Sequence, residues 1–339
     1  MGRRNTVVRR NLKQRREKPF SALQKIYMIL LTFLAAGLIS AYGCALIILK
    51  GPSTSISNLI TSTMMETRTL RSVARLFFSE EEMEIIANRN SVSSTTEITD
   101  TNADFVIDPE KKDLIDIIDI RGATYEGKLM IIYDPSRIEL ACNLEMEDPH
   151  AGYFVEDYVQ TYDAVAGING GGFDDPNGQG TGALPYGIVI KDGELISGEM
   201  DSYQTVIGFN QQDKLIVGNM TGAQALEYGL RDAVTFQPIF IVNYTPVEIT
   251  GIGGGLNPRT VIGQREDGAV LFLVIDGRQT TSLGASYSDC IEIMMEYGAM
   301  NAANLDGGSS SVMVYNGEII NNVVSMNGDR RVPTAFIVK

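Results

Sequence analysis

The sequence predicts an α+β fold, with largely antiparallel sheets and packed helices, preceded by one N-terminal transmembrane helix and a helical stalk. Three observations carry this. Asp192-Gly193, Asp267-Gly268 and Asn316-Gly317 each separate short β-branched runs, as in GIVIKDGELIS, QREDGAVLFLVID and SVMVYNGEIIN. Asp-Gly and Asn-Gly supply the positive φ of type I′ hairpin turns, so neighbouring strands should run antiparallel. Helical spacing appears in YFVEDYVQTYDAV and SDCIEIMMEYGAM, where Ser288 or Asp289 is placed to cap the start of the second helix and Gly298 its end. Finally, residues 26–49 contain 24 residues without a charge.

That uncharged stretch orders the N-terminal part. At about 1.5 Å per residue it spans roughly 36 Å, enough to cross a bilayer. Residues 1–25 hold nine Lys and Arg against Glu17, a net of +8, so the remaining chain carries −22 of the total −14. Basic flanks stay cytoplasmic, which predicts a single-pass cell-membrane protein with residues 1–25 inside, an uncleaved signal anchor at 26–49, and everything after Lys50 outside. An acidic body repels phosphate backbones, so nucleic acid is not expected as a partner.

Residues 50–105 read as a helical stalk and linker. Leu70, Val73, Leu76 and Phe77 recur at helical spacing, and Ser79 with Glu82 forms a capping-box pair that starts a further helix. SVSSTTEITDTNAD is polar and aperiodic. The globular domain is then 106–339. Within it, a helix leads to an apolar segment and a glycine-rich loop twice, in AVAGINGGGF and in NAANLDGGSSS, as a duplicated unit would.

The chemistry starts from exclusions. His150 is the only histidine and lies in a turn-like EDPHAG, which disfavours a multi-histidine zinc site and a triad centred on it. No GxxxxGK[ST] loop occurs, and Leu256 falls where a dinucleotide fingerprint needs its third glycine. No cofactor is expected; nearby carboxylates would suit a divalent cation, but no metal-binding spacing supports one. Cys142 and Cys290 either pair as one disulfide or remain buried thiols.

What remains are polar residues beside glycines: Asn169, Arg259, Asp276 with Arg278, and Asn304 with Asp306. Glycine permits close approach and leaves amides free to donate, and loops at strand ends are where sites are built. Asp276 and Asp306 each end an apolar strand, where a carboxylate needs partners. Arg259 and Arg278 either pair with those carboxylates or clamp an anionic substrate.

INGGGF, LPYGIVIKDGE, GGGLNPRTVIG, VIDGRQTTSLGAS, NLDGGSSS and DRRVPTAFIV, in that order from about residue 120 onward, resemble the motifs of the phosphodiester glycosidase family. Gly172-Phe173 stands where the family commonly has a phenylalanine pair. The resemblance implies an enzyme that removes a sugar joined through its anomeric oxygen to phosphate. The anchor and stalk resemble the bacterial branch, linked to surface polysaccharides. The implied activity is hydrolysis of a GlcNAc-α-1-phosphate type diester in cell-surface glycan or exopolysaccharide, the partner being an anionic sugar-phosphate glycan. A transferase using the same site and a silent glycan-binding module are the alternatives. Asp306 and Asp276 would be the catalytic carboxylates, because hydrolysis at an anomeric carbon passes through an oxocarbenium-like state. Arg259, Arg278 and Arg330 would stabilise phosphate, and Asn169, Asn304 and Ser309 would orient substrate. Gly307 and Gly308 would let it approach the backbone.

Overall fold

The computed structural model describes residues 20–102, 105, 107–175, 180–324 and 330–339. The basic tail up to residue 19 and Asp329 of the last motif lie outside the described residues. The chain divides into two compact units, Met1–Pro52 and Ser53–Lys339.

The first unit contains α1 (Ala22–Lys50), 29 residues long and opened by a capping box between Ser21 and Gln24. At 1.5 Å per residue it extends roughly 43 Å, so it is long and apolar enough to cross a membrane.

The second unit begins with α2 (Thr54–Glu66), α3 (Arg68–Ala74) and α4 (Glu80–Arg89). The strands follow: β1 (Ile115–Arg121), β2 (Glu126–Ile132), β3 (Ile138–Cys142), then α5 (Val155–Thr161) and β4 (Ala166–Asn169). Next come β5 (Val189–Lys191), β6 (Glu194–Ser197), β7 (Tyr203–Asn210), β8 (Leu215–Thr221), α6 (Gly222–Glu227) and β9 (Leu230–Thr235). After them are β10 (Ile239–Val242), β11 (Thr245–Pro246), β12 (Arg259–Arg265), β13 (Val270–Ile275) and α7 (Tyr287–Glu296). The chain closes with β14 (Ala299–Leu305), β15 (Met313–Tyr315), β16 (Glu318–Ile319) and β17 (Thr334–Val338). Three sheets result, ordered β1-β2-β13-β12-β14-β10-β11, β16-β15-β4-β17-β3 and β6-β5-β9-β7-β8. Their pairings are antiparallel, as the hairpin signals require.

The period-2 geometry of a strand explains the core. Along β13, Val270, Phe272 and Val274 face a central cluster, while Leu271, Leu273 and Ile275 face a second cluster under α7. Both faces are covered, so VLFLVI is apolar throughout. The central cluster joins all three sheets, through Phe272 and Leu305 of the first, Ile168 and Phe336 of the second, and Ile207 and Val234 of the third. On the second and third sheets the outer faces are closed by α5, with Tyr158 and Val159, and by α6, with Ala225.

Local signals hold with two adjustments. Asp192-Gly193 and Asn316-Gly317 have positive φ at both residues, as type I′ turns need. At Asp267-Gly268 only the glycine does; Gly268 N donates to Arg265 O at 3.1 Å, so this loop is a four-residue turn closed by a left-handed glycine. Ser286, rather than Ser288 or Asp289, is the N-cap of α7, and Asp289 completes its capping box from the N3 position. Gly298 (φ +79°) ends the helix as expected.

The segment read as stalk and linker is hydrogen-bonded along its length to the body. Ser93 N donates to Glu248 O at 2.9 Å, Thr99 N to Val217 O at 3.1 Å, and Asn219 Nδ2 to Thr95 O at 2.7 Å. The Ser79–Glu82 capping box starts α4 as expected. Because Ser79 must be extended there (ψ 163°), α3 cannot run on, and Leu76 and Phe77 fall in the turn before it. Ala74, Phe78 and Met83 are buried, whereas Leu76 is exposed. His150 is exposed, and Cys142 and Cys290 are separate buried thiols, both held above the usual thiol pKa by burial.

Phe272 is fully buried in the central cluster, so Phe272→Ala should cost about 3–5 kcal/mol in chemical denaturation.

Candidate active site

Strand register brings the glycine-flanked residues to one end of the sheets. Arg259 pairs with Ile275 and Thr260 with Leu305, so Asp276 and Asp306 leave the strands on either side of β12. Two ladder spacings place their backbones roughly 10 Å apart. The loop after β4 meets the same edge: Asp306 N donates to Gly170 O at 3.2 Å, and Asn169 Nδ2 donates to Asp306 O at 2.6 Å. The two helix–strand–glycine units therefore touch at their tips.

Asn169 is fully buried, and its Oδ1 accepts Thr260 Oγ1 at 2.8 Å and Val312 N at 3.2 Å. It clamps three segments around Asp306 and has no acceptor left over for substrate. The glycines beside it serve packing: a Cβ on Gly170 would lie 2.5 Å from Thr334 Oγ1, and one on Gly171 2.8 Å from Val234 Cβ.

Asp306 is partly exposed at the base of this loop. Its Oδ1 accepts Gly307 N at 3.0 Å, and the Ser310 hydroxyl donates to the carboxylate. Burial pushes its pKa from the ordinary 3.8 to about 6, against the opposing pull of those hydrogen bonds and of Arg330. Ser310, and not Ser309, makes this contact, because the single 3₁₀ turn over Gly308–Ser310 directs it inward. Nothing in a run of three serines distinguishes them. The amides of Gly307 and Gly308 are both engaged, with Asp306 Oδ1 and Pro258 O (2.9 Å), so these glycines shape the loop rather than offer free donors.

Asp276 differs. It is 3% exposed, and its two oxygens accept the backbone N and Nδ2 of Asn322, each at 2.9 Å. Gly277 N donates in turn to Asn322 O. Asp276 thus fastens the loop after β16. Among the described residues no hydrogen bond or ion pair joins it to Asp306.

The arginines separate as well. Arg259 is 5% exposed, lies 3.9 Å from the Tyr287 ring centroid, and donates through Nη2 to Glu66 Oε2 at 2.7 Å and Gly255 O at 2.8 Å. Glu66 also accepts Gly255 N at 2.6 Å and the side-chain amide of Asn257. Arg278 donates to Leu256 O at 3.1 Å and to Asn257 Oδ1. Burial, then the Arg259 charge, hold its pKa below the usual arginine value. Arg259 therefore pairs directly with a carboxylate from α2, and Arg278 is joined to the same group through Asn257. Sequence reasoning missed Glu66. The signal was its position: the sole carboxylate of α2 sits at the helix C-terminus, where the macrodipole disfavours it unless a cation is near.

Arg330 is the cation beside Asp306. It pairs with Asp175 at 2.7 Å and lies 5.0 Å from the Phe173 ring centroid. Asn304 is buried, with Nδ2 donating to Gln237 O at 3.0 Å and Oδ1 unpaired. Among the described residues no group of three His, Cys, Asp or Glu is arranged for a metal ion.

Two outcomes follow from this geometry. A carboxyl whose folded pKa exceeds its unfolded one stabilises the fold fully below about pH 3.8, and that contribution is lost as pH rises through 6. Relative to Asp306→Asn, the parent chain should therefore lose up to about 3 kcal/mol of stability between pH 3.8 and 7, measured by denaturant unfolding across pH. Glu66→Ala leaves Arg259 buried without its counter-ion and should destabilise by on the order of 3 kcal/mol, with Glu66→Gln costing less.

Comparison with known proteins shows which family the chain resembles. The profile of the phosphodiester glycosidase family matches residues 162–339, slightly more than half of the chain. The SPbeta prophage-derived uncharacterized protein YomE of Bacillus subtilis (strain 168) is 40% identical over 67 residues, 20% of this chain. The chain spans about a tenth of that relative's length, the match covering 10% of it. Among solved structures, the zebrafish N-acetylglucosamine-1-phosphodiester alpha-N-acetylglucosaminidase catalytic domain, auto-inhibited by its pro-peptide, superposes with a TM-score of 0.54 at 20% identity, over 74% of this chain and 87% of that one. A hypothetical protein from Synechocystis gives a TM-score of 0.49 at 14% identity, over 66% and 61%. With its glycine-flanked strand ends gathered around Asp306 and its C-terminal half matching the family throughout, the chain belongs to the phosphodiester glycosidase family.

Proposed function

We propose that this chain is a membrane-anchored, extracytoplasmic hydrolase of sugar 1-phosphodiesters, of the GlcNAc-α-1-phosphate type, acting on cell-surface glycan. Family membership supports the linkage class. The apolar helix α1 behind a basic N-terminal segment supports the anchor and its orientation. The observation that carries the reading is Asp306: a partly exposed carboxyl with a pKa of about 6, on a rigid strand end, beside the Arg330 cation.

In this reading Asp306 works ionised. Its carboxylate faces the positive charge that develops at the anomeric carbon and takes the proton of the attacking water. The C1–O bond to phosphate breaks, and the phosphomonoester leaves with its charge met by Arg330. A phosphomonoester leaves readily, so charge stabilisation matters more than protonation. Asn169 holds the Asp306 backbone in place, and Asp276 with Asn322 fixes the neighbouring loop. Arg259 and Arg278, engaged around Glu66, act as positioning residues.

The test is release of free sugar from a synthetic GlcNAc-α-1-phosphate diester by the full chain in detergent. Turnover should rise with pH on an acid limb near 6 and be abolished by Asp306→Asn with the fold retained. Activity in Asp306→Asn would remove the assignment.

A further inference from the structure

A groove of about 380 Å³ opens beside the candidate site. That falls in the range of small-ligand clefts, roughly 300–1,000 Å³. Its rim carries Tyr186 and Tyr203, exposed by 61% and 63%, and its floor carries Gln204, Thr205 and Thr235, with Gln237 at the far side. One wall is continuous with the glycine loop after β4: Tyr186 N donates to Gly172 O at 2.8 Å, and Gly172 N to Thr235 O at 3.1 Å. The other wall reaches the site through Gln237, whose carbonyl accepts Asn304 Nδ2.

The lining states the ligand chemistry. None of the residues lining the groove is charged, although the chain as a whole carries −14. The Gln204 amide is held in place, its Oε1 accepting Thr235 Oγ1 at 3.1 Å and its Nε2 donating to Ser202 Oγ at 2.8 Å. Among the described residues the hydroxyls of Tyr186 and Tyr203 and the side-chain amide of Gln237 make no hydrogen bond, so they are available to a ligand. Two solvent-facing aromatic rings with amides and hydroxyls between them suit a molecule with an apolar flat face and hydroxylated edges, which describes a neutral pyranose. A peptide strand would need an open ladder edge; β7, which contributes Tyr203, is paired on both sides by β8 and β9, and the outer edge of β8 is engaged at Val217 by Thr99.

We infer that this groove is a second saccharide subsite, which binds an uncharged pyranose unit of the glycan next to the one whose phosphodiester is cleaved. The inference rests on the proposed hydrolase reading and deepens it: the substrate is an oligomeric or polymeric glycan, and the groove supplies affinity that a small diester cannot use.

Two measurements on the full chain in detergent test it and keep the two readings apart. The first is binding of phosphate-free chitotetraose, maltotetraose and cellotetraose, followed by saturation-transfer NMR and calorimetry. At least one should bind; Tyr186→Ala and Tyr203→Ala should each weaken it roughly tenfold, and Tyr203→Phe should retain it. Both rings are exposed, so unchanged circular dichroism is expected for each variant. The second is turnover of the small GlcNAc-α-1-phosphate diester, which should be the same in the parent chain and the tyrosine variants. Failure of all three tetrasaccharides to bind, or binding unchanged in both alanine variants, overturns the subsite even if the small diester is cleaved. Tyrosine-dependent binding without cleavage overturns the hydrolase reading and leaves a saccharide groove.

Discussion

The two-way link between the tips of β4 and β14 is the constraint on which the rest of the site depends. Asn169 donates from its side chain to the Asp306 carbonyl, and the Asp306 amide donates back to Gly170. The strands belong to different sheets, so these bonds fasten one sheet to another at the point where the carboxylate emerges. A buried amide that satisfies both its ends in this way is costly to move, because freeing either end strands a polar group away from water. The glycines that follow Asn169 are set by packing. A side chain on Gly170 would collide with Thr334 of the neighbouring strand in the same sheet, and one on Gly171 with Val234 of the third sheet.

Around that link the charges divide into two groups with different work. Asp306 and Arg330 with Asp175 form an outer, partly exposed group, backed by the buried Ser310, and burial raises the Asp306 pKa into a range useful for chemistry. Arg259, Arg278, Asn257 and Glu66 form an inner group linked by hydrogen bonds within the protein, with Arg278 Nε left without a partner. Removing water from such a pair raises both its attraction and its desolvation cost, so it contributes more to geometry than to net stability. It also makes α2 a wall of the site, since the carboxylate of the inner group is supplied from that helix.

Much of the fold was legible because its signals are local. Turn dipeptides, the Ser79–Glu82 box, Gly298 and the doubly apolar β13 each act over a few residues, and the backbone answers them in place. The errors were local as well: the cap of α7 is Ser286, ahead of the expected Ser288 or Asp289, and Leu76 fell outside its helix because Ser79 had to be extended.

The site was legible in inventory and not in assignment. By itself the sequence determined that Asp306, Asp276, Asn169, Arg259 and Arg278 sit near strand ends and glycines, since residue type and strand period are one-dimensional properties. Which carboxylate remains open was decided by the tertiary structure: Asn322, 46 residues away, occupies Asp276. The same holds for Arg259, whose counter-ion Glu66 lies 193 residues before it, and for the choice of Ser310 over Ser309. Pairings over such distances depend on sheet register and on the direction of a single turn, and those are set by packing of the whole core rather than by any neighbour in the chain.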